Sequence, residues 1–179
     1  MPHWNTRGLR GSTLEEMINL TNDIYRAKEL AVIHKIPTPI TPVTIDKSSR
    51  NITLAYFGQK STVDYIGVVQ GLPVAFDAKE TNAKNLPVQN IHAHQIEFMR
   101  DFEKQEGLAF LIVHFRLYNE FYLLPFATLH RFWGEAQNGG RKSIPYEAFD
   151  KNLLITSKGG YLVHYLEGVL KIQCLSLNA

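Results

Sequence analysis

The sequence predicts an α/β protein with a mixed β-sheet flanked by helices. Apolar residues recur at helical spacing just after residue 13, and several apolar or alternating runs with the length of strands follow. A second amphipathic helix separates two pairs of these strands, as expected when helices pack on a sheet. The chain has 179 residues, of which 45% are hydrophobic and 20% charged, which suits one domain, residues 13–179, behind a flexible basic arm, residues 1–12.

The first helix is predicted to begin at Ser12 or Thr13, either of which can cap it. Glu15 and Glu16 then lie in the first turn, where the helix dipole favours acids, although one of them could instead belong to a functional site. The remaining predicted elements are a strand at 31–36, a projecting hairpin within 37–57, strands at 61–69 and 72–79, a helix at 90–104, strands at 108–115 and 120–124, a helix at 127–136, a basic loop at 139–145 and a final helix at 161–170.

The projecting hairpin is predicted from its prolines and its polar tip. Pro37, Pro39 and Pro42 exclude a helix and disfavour a central strand. Two β-branched runs then flank the polar residues 46–51, which is typical of a hairpin that extends away from a sheet. An ordinary surface loop is the alternative.

Composition narrows the class of protein. No stretch has the apolar length of a membrane span, and the N-terminus lacks the apolar core of a signal peptide, so we expect a cytoplasmic protein. The single cysteine, Cys174, excludes an intrachain disulfide and a cysteine-based zinc cluster. The net charge is only +2, but six basic residues against two acids between Arg26 and Lys60 favour an anionic partner.

The candidate chemistry lies on the two strands that Gln70-Gly71 joins. If these two residues form the turn, with glycine at a positive φ, the numbers of paired residues sum to 141. Asp64 then lies opposite Asp77 on one face of the hairpin, whereas the other face forms a core. Because opposed carboxylates repel each other, this pairing predicts a cation between them.

The same register places Thr62 opposite Lys79, on the face that carries the carboxylates. Mg²⁺, with Mn²⁺ as a substitute, is the expected cation because it prefers oxygen ligands and retains water. An ammonium group beside it can hold a water or a phosphate oxygen. These parts predict metal-assisted hydrolysis of a phosphodiester, for which Asp64, Asp77 and Lys79 are the candidate catalytic residues.

Gln95 is a polar residue on the otherwise apolar stripe of the helix predicted at 90–104. A buried amide without partners is costly, so Gln95 should form a hydrogen bond. Nearby backbone is the simpler partner, and the metal or its waters are the alternative.

The chain resembles the RecU family of bacterial and phage Holliday-junction resolvases. The similarity runs from near the N-terminus to about residue 145 and is poor after about residue 150. It is carried by Arg7-Gly8, Ala31-Val32-Ile33-His34-Lys35, Pro37-Thr38-Pro39-Ile40, Ala55-Tyr56-Phe57, Ser61-Thr62-Val63-Asp64-Tyr65, Ala78-Lys79-Glu80-Thr81, Asn90-Ile91-His92-Ala93-His94-Gln95-Ile96-Glu97 and Gly140-Arg141-Lys142-Ser143-Ile144.

This resemblance implies a restriction-endonuclease-like fold with a projecting stalk, a homodimer, Mg²⁺ dependence and paired nicking of four-way junctions. The family's metal ligands correspond to Thr62, Asp64, Asp77 and Gln95, and its catalytic lysine corresponds to Lys79. Asp77 stands where close relatives usually have glutamate. The N-terminal arm, which in the family is tied to modulation of a RecA-type recombinase, is short, and both departures fit a phage-encoded or diverged member.

The residues predicted to contact DNA are Arg7, Arg10, Lys35, Lys47, Arg50, Tyr56, Arg141 and Lys142. Three alternatives remain: a non-cleaving DNA-binding or annealing accessory protein of recombination, a nuclease with another DNA substrate, and a purely structural domain. The opposed carboxylates argue against the first alternative, since binding DNA does not require them.

Overall fold

A computed structural model describes residues 13–46, 48–49, 51–58 and 62–176. The helices are α1 (Thr13–Ala27), α2 (Ala93–Glu103), α3 (Phe126–Gln137) and α4 (Leu166–Ser176). The strands are β1 (Ala31–Lys35), β2 (Ile40–Asp46), β3 (Asn51–Phe57), β4 (Tyr65–Val69), β5 (Leu72–Thr81), β6 (Asn85–Pro87), β7 (Leu108–Phe115), β8 (Glu120–Pro125), β9 (Ser143–Pro145) and β10 (Leu154–Ile155). Short 3-10 helices span Val88–Asn90, Tyr146–Ala148 and Lys151–Leu153.

Six strands form a central mixed sheet in the order β1-β4-β5-β7-β8-β10. Neighbouring strands are antiparallel except β5 and β7, which are parallel and are connected through α2, as a parallel pair requires. One face of the sheet packs against α1 and α4, and the other packs against α2 and α3. The predicted α/β class, with a mixed sheet flanked by helices, is confirmed.

Each face of the sheet buries its own hydrophobic core. In the core beneath α1 and α4, the rings of Tyr65, Phe76 and Phe110 stack in series, with 4.8 Å between neighbouring ring centroids. Strand β7 is buried along its whole length because its sequence, LAFLIVHF, supplies apolar side chains to both faces. Leu111 and Val113 belong to the second core, beneath α2 and α3.

The predicted projecting hairpin is formed by β2 and β3, which make a two-stranded sheet of their own. Its large apolar side chains are between 47% and 59% exposed: Ile40, Val43, Ile45, Ile52, Leu54 and Tyr56. The hairpin therefore contributes little to either core. Lys47 and Arg50, near its tip, lie outside the described residues, as do Arg7 and Arg10 of the arm.

Two predicted boundaries were wrong. The fourth strand begins at Tyr65 rather than at residue 61, and the last helix spans Leu166–Ser176 rather than residues 161–170. Tyr161, Val163 and Tyr165 alternate into the first core, which is the spacing of extended backbone and not of a helix. No helix in the described part of the chain is long and apolar enough to cross a bilayer.

Candidate active site

A tight turn fixes the register of β4 and β5. Gln70 (φ +47°) and Gly71 (φ +89°) both have positive φ, as a two-residue type I′ turn requires. Tyr65 pairs with Phe76, so the numbers of paired residues sum to 141 as predicted. The Gln70 side chain donates a hydrogen bond to the carbonyl oxygen of Glu29 at 2.9 Å, which ties the turn to the connection between α1 and β1.

This register brings two carboxyl groups together at the open end of the hairpin. Asp64 directly precedes β4, and its backbone N–H donates to Oδ1 of Asp77 at 2.7 Å. The backbone N–H of Ala78 donates in turn to Oδ2 of Asp64 at 3.0 Å. Each carboxyl group is thus held by the backbone of the opposite strand.

Burial makes this arrangement electrostatically costly. Asp77 is completely buried, although a carboxylate is rarely found in that environment. Burial first, and then the charge of Asp77, raise the pKa of the Asp64 carboxyl to about 6, while the N–H of Ala78 and the charge of Lys79 oppose the rise. Two carboxyl groups in contact favour a state in which one is protonated or a cation lies beside them.

Lys79 supplies one positive charge. Its Nζ lies 2.9 Å from Oδ2 of Asp77, and its side chain is 15% exposed. This contact is an ion pair without the alignment of a hydrogen bond, because Oδ2 of Asp77 accepts no hydrogen bond from any described residue. A buried carboxylate oxygen with this unused acceptor capacity fits a hard divalent cation, which prefers oxygen ligands.

Within the described residues, no group of three or more His, Cys, Asp or Glu side chains could hold a metal ion. A cation at Asp64 and Asp77 would therefore need neutral oxygens or water for its other ligands. Thr62 is half-buried two residues before Asp64. Gln95 is buried on α2, and its Oε1 accepts a hydrogen bond from the backbone N–H of His92 at 3.0 Å, so nearby backbone is a partner for this amide.

The surroundings of the site differ from the prediction in one respect. The face of the hairpin that carries Asp77 also carries Ala75, which belongs to the second core. This face is therefore buried around Ala75 and Asp77, whereas Val68, nearer the turn, is 46% exposed, and the carboxylates lie at the margin of a core beneath α2. Val63, which was predicted to face away from the site, packs in this second core because regular strand alternation begins only at Tyr65.

Strand β1 brings a second ion pair to the same end of the hairpin. Lys35 pairs with Tyr65 in the sheet, and its Nζ lies 2.7 Å from Oε2 of Glu15. The hydroxyl of Tyr65 also donates to the backbone carbonyl of Glu15 at 3.3 Å, and the N–H of Ile36 donates to the carbonyl oxygen of Asp64 at 2.8 Å. Glu15 therefore lies both in the first turn of α1 and close to the strand that positions Asp64.

Three other residues that were predicted to contact DNA are exposed. Tyr56 lies on β3 with 59% of its surface accessible. Arg141 and Lys142 lie in the loop before β9, where the backbone carbonyl of Lys142 accepts a hydrogen bond from the N–H of Val88. All three side chains are therefore accessible to a partner.

One polar cluster beside Lys79 was missed by the sequence-based predictions. Oε2 of Glu80 lies 3.3 Å from Nδ1 of His114 and 3.8 Å from Nε of Arg116. His114 is buried, and its ring stacks on Phe121 with 4.2 Å between centroids. The histidine within the apolar run of β7 was the available signal, but its partner becomes evident only when β5 and β7 are paired.

Comparisons of the sequence with known proteins point to one family. The sequence model of the RecU family, described as recombination protein U, matches residues 9–171, so the predicted loss of similarity after about residue 150 was wrong. A relative named Holliday junction resolvase RecU from Oenococcus oeni is 44% identical over 170 residues, which cover 92% of this chain and 86% of that protein. The protein of the same name from Limosilactobacillus reuteri is 43% identical, and the alignment covers 92% of this chain and 79% of that protein. The one from Geobacillus kaustophilus is 46% identical, with 80% of this chain and 74% of that protein covered.

Among solved structures, Hjc from Archaeoglobus fulgidus, described as a Holliday junction resolvase, aligns with a TM-score of 0.48 and 12% identity, covering 89% of this chain and 98% of its own. The family match and the identities across most of each chain decide the assignment: this chain belongs to the RecU family.

Proposed function

We propose that this protein is a cytoplasmic endonuclease that resolves four-way DNA junctions by Mg²⁺-dependent hydrolysis of phosphodiester bonds. The observation that carries the proposal is the completely buried Asp77, which faces Asp64 and has Lys79 Nζ at 2.9 Å. The relatives of this chain that are named Holliday junction resolvase RecU support four-way junctions as the substrate. Two subunits related by a two-fold axis would nick two opposed strands, which match the approximate symmetry of a junction.

In this proposal Asp64 and Asp77 would hold the cation, and Thr62 and Gln95 are the other candidate ligands. Mg²⁺, or Mn²⁺ in its place, would polarise the scissile phosphate and lower the pKa of a bound water. Lys79, held by its ion pair with Asp77, would direct its ammonium group towards the reacting phosphate. There it orients the attacking water and stabilises the negative charge that develops in the transition state.

DNA would be held mainly through its phosphates. The residues that we assign to DNA contact are Arg7, Arg10, Lys35, Lys47, Arg50, Tyr56, Arg141 and Lys142. The affinity for junctions should therefore fall as the salt concentration rises. Modulation of a RecA-type recombinase through the N-terminal arm is a further part of this proposal.

The test compares cleavage of a synthetic four-way junction with cleavage of a linear duplex of the same sequence, in Mg²⁺ and in Mn²⁺. The Asp77→Asn variant removes one charge from the site. Asp150→Asn is the matched control, because Asp150 caps a short 3-10 helix by accepting a hydrogen bond from the N–H of Asn152. We expect the native protein and Asp150→Asn to make paired nicks in the junction alone. Asp77→Asn should make none.

Two results would overturn the proposal. Junction binding without nicks in either divalent ion would identify a non-cleaving accessory protein of recombination. Equal cleavage of junction and linear duplex would identify a nuclease with another substrate.

A further inference from the structure

A polar cleft of about 500 Å³ lies between α1 and β1. Lys35, at one end of the cleft, is the sheet partner of Tyr65, which directly follows Asp64. From there the cleft follows α1 to Arg26. Its polar lining is Asn19, Asn22, Asp23, Arg26, His34 and Lys35.

Two asparagine side chains present hydrogen-bond donors to this cleft. Asn22 is only 7% exposed, and its Oδ1 accepts a hydrogen bond from the hydroxyl of Tyr165. Oδ1 of Asn19 accepts in the same way from the hydroxyl of Tyr65 at 3.0 Å. With both carbonyl oxygens occupied, the NH₂ groups are the remaining polar ends, and neither donates to another residue in the described ranges.

Burial supports this orientation of the two amides. It raises the pKa of the hydroxyls of Tyr65 and Tyr165, so both remain protonated and act as donors. The amide atom beside the hydroxyl of Tyr165 is then the oxygen of Asn22, and the NH₂ group is directed away from it. A polar side chain that is buried on one side and lacks a partner on the other needs a ligand or water.

The charged groups of the cleft also favour an anion. The guanidinium group of Arg26 forms no ion pair with any residue that the structure describes. Lys35 adds a second cation, which is shared with Glu15 at 2.7 Å. Asp23 is the one carboxylate among the lining residues, so the donors outnumber it.

The length of the cleft suits a DNA strand. From Asn19 to Arg26 the helix advances roughly 10 Å, at about 1.5 Å per residue. Each strand of duplex DNA carries one phosphate per roughly 3.4 Å of axis, so the cleft spans two or three phosphates. An anion of this length that reaches Lys35 fits the backbone of the strand that is cut.

We propose that this cleft is a backbone subsite, in which the amide of Asn22 and the guanidinium of Arg26 bind a phosphate near the scissile bond. The inference rests on the proposed nuclease function and adds a positioning site on α1. Its residues hold the strand and do not touch the reacting atoms. Loss of the subsite should therefore change how cleavage depends on one or two phosphates near the cut. A general loss of positive charge would instead weaken the contacts with all phosphates alike.

The experiment replaces single phosphates around the cut site with neutral methylphosphonates, one position per junction, and measures single-turnover cleavage. Asn22→Asp is the key variant, because its carboxylate still accepts the hydrogen bond from Tyr165 but presents a negative charge in place of the donor. Arg26→Gln is a second variant at an exposed position. Asn152→Asp, outside the cleft, introduces the same change of charge and is the control.

With native protein, one or two neutral positions should slow cleavage roughly tenfold, as expected for the loss of a charge-assisted contact. Asn22→Asp should slow cleavage of the unmodified junction by a similar factor. At the same positions, however, the methylphosphonate should slow Asn22→Asp much less than it slows native protein, because the neutral group loses the contact with Arg26 but also removes the repulsion by the new carboxylate. Arg26→Gln should make those positions insensitive to the replacement, and Asn152→Asp should behave as native protein does.

Methylphosphonate penalties that are the same in Asn22→Asp and Arg26→Gln as in native protein would overturn the subsite. If Arg26→Gln melts at the same temperature as native protein, the variant is folded and the comparison is valid. If native protein binds junctions without cutting them, the proposed function fails, and the same modified junctions in a binding assay still test the cleft. Penalties in binding that depend on Asn22 would then support the subsite on its own.

Discussion

The two hairpins of this chain, β2–β3 and β4–β5, depart from ordinary packing in opposite ways. The β4–β5 hairpin lies inside the main sheet and buries a carboxylate, Asp77, completely. The β2–β3 hairpin forms a separate sheet and leaves apolar side chains such as Leu54 and Tyr56 more than half exposed. One region buries charge, which costs stability, and the other exposes apolar surface, which is typical of an interaction site.

The difference shows what each hairpin requires from a partner. Asp77 is already held by an N–H group and by the ammonium of Lys79, so a small cation is enough to complete its surroundings. The β2–β3 hairpin has no core of its own, and a two-stranded sheet is only marginally stable in water. We expect an extended partner, such as the proposed DNA junction, to cover its exposed apolar side chains. Three predictions test this contrast.

The largest effect is expected for Lys79→Met. The variant removes the ammonium that would stabilise charge on the reacting phosphate, and the loss of one such group lowers cleavage by about 10²–10³-fold. Binding of the junction should change little, because the side chain is only 15% exposed. Single-turnover cleavage and a binding titration with the same junction measure the two effects.

Lys151→Met is the control for this prediction, since Lys151 is an exposed lysine in a 3-10 helix. Its cleavage rate should match that of native protein. Thermal melts are needed in parallel because Asp77 loses its ion pair in Lys79→Met. A folded Lys79→Met protein that keeps more than a tenth of the native rate would contradict the role of Lys79.

An intermediate effect is expected when the β2–β3 hairpin loses apolar surface. Leu54→Ser combined with Tyr56→Ser should weaken junction binding by roughly 10- to 100-fold if the aromatic ring stacks on a base. The melting temperature should stay the same because both side chains are exposed in the free protein. Leu117→Ser, at a residue that is 55% exposed between β7 and β8, controls for the loss of an exposed leucine.

Unchanged binding by the double variant would show that the exposed residues of β3 do not contact the junction. A large fall in melting temperature would instead indicate that the hairpin is packed within the protein. Either result would remove the contrast between the two hairpins.

The sequence predicted the register of the β4–β5 hairpin better than it predicted the end of the chain, for a physical reason. The register of β4 and β5 depends on a two-residue turn, so Gln70-Gly71 determines that Asp64 meets Asp77. The last helix has no comparable local constraint. Its start was placed too early because Tyr161, Val163 and Tyr165 are apolar in either a helical or an extended reading, and contact with the core decides between them.

Contacts between residues far apart in the sequence were the other limit on the sequence-based predictions. Glu80 meets His114 only because β5 and β7 are parallel neighbours, a pairing that no spacing in the sequence specifies. The amide of Gln95 could be placed on the correct helix, yet the choice between backbone and metal depends on the start of α2, where the N–H of His92 is available. Local turn geometry is thus readable from sequence, whereas contacts between distant elements are not.

The smallest effect is expected for Asp64→Asn, measured as stability without divalent ions. The folded protein raises the pKa of Asp64 from 3.8 to about 6, so protonation stabilises the fold fully below pH 3.8 and this contribution is lost as the pH rises through 6. This rise in pKa corresponds to about 3 kcal/mol, and solvent screening of the half-buried Asp64 reduces the cost of its charge to about 2 kcal/mol in the free energy of unfolding at pH 7.5. Asparagine avoids this cost and still accepts the hydrogen bond from Ala78, so the variant should melt about 4–8 °C higher.

Thermal melts with chelator at pH 4 and pH 7.5 measure this gain, which should be nearly absent at pH 4 because native Asp64 is then protonated. Added Mg²⁺ should raise the melting temperature of native protein more than that of Asp64→Asn, since a cation offsets the same repulsion between Asp64 and Asp77. Asp150→Asn, at a carboxyl outside the site, should show no gain at either pH. An Asp64→Asn protein that is less stable than native protein at pH 7.5 would mean that the opposed carboxyl groups contribute to the fold, and the argument from electrostatic cost to a cation site would fail.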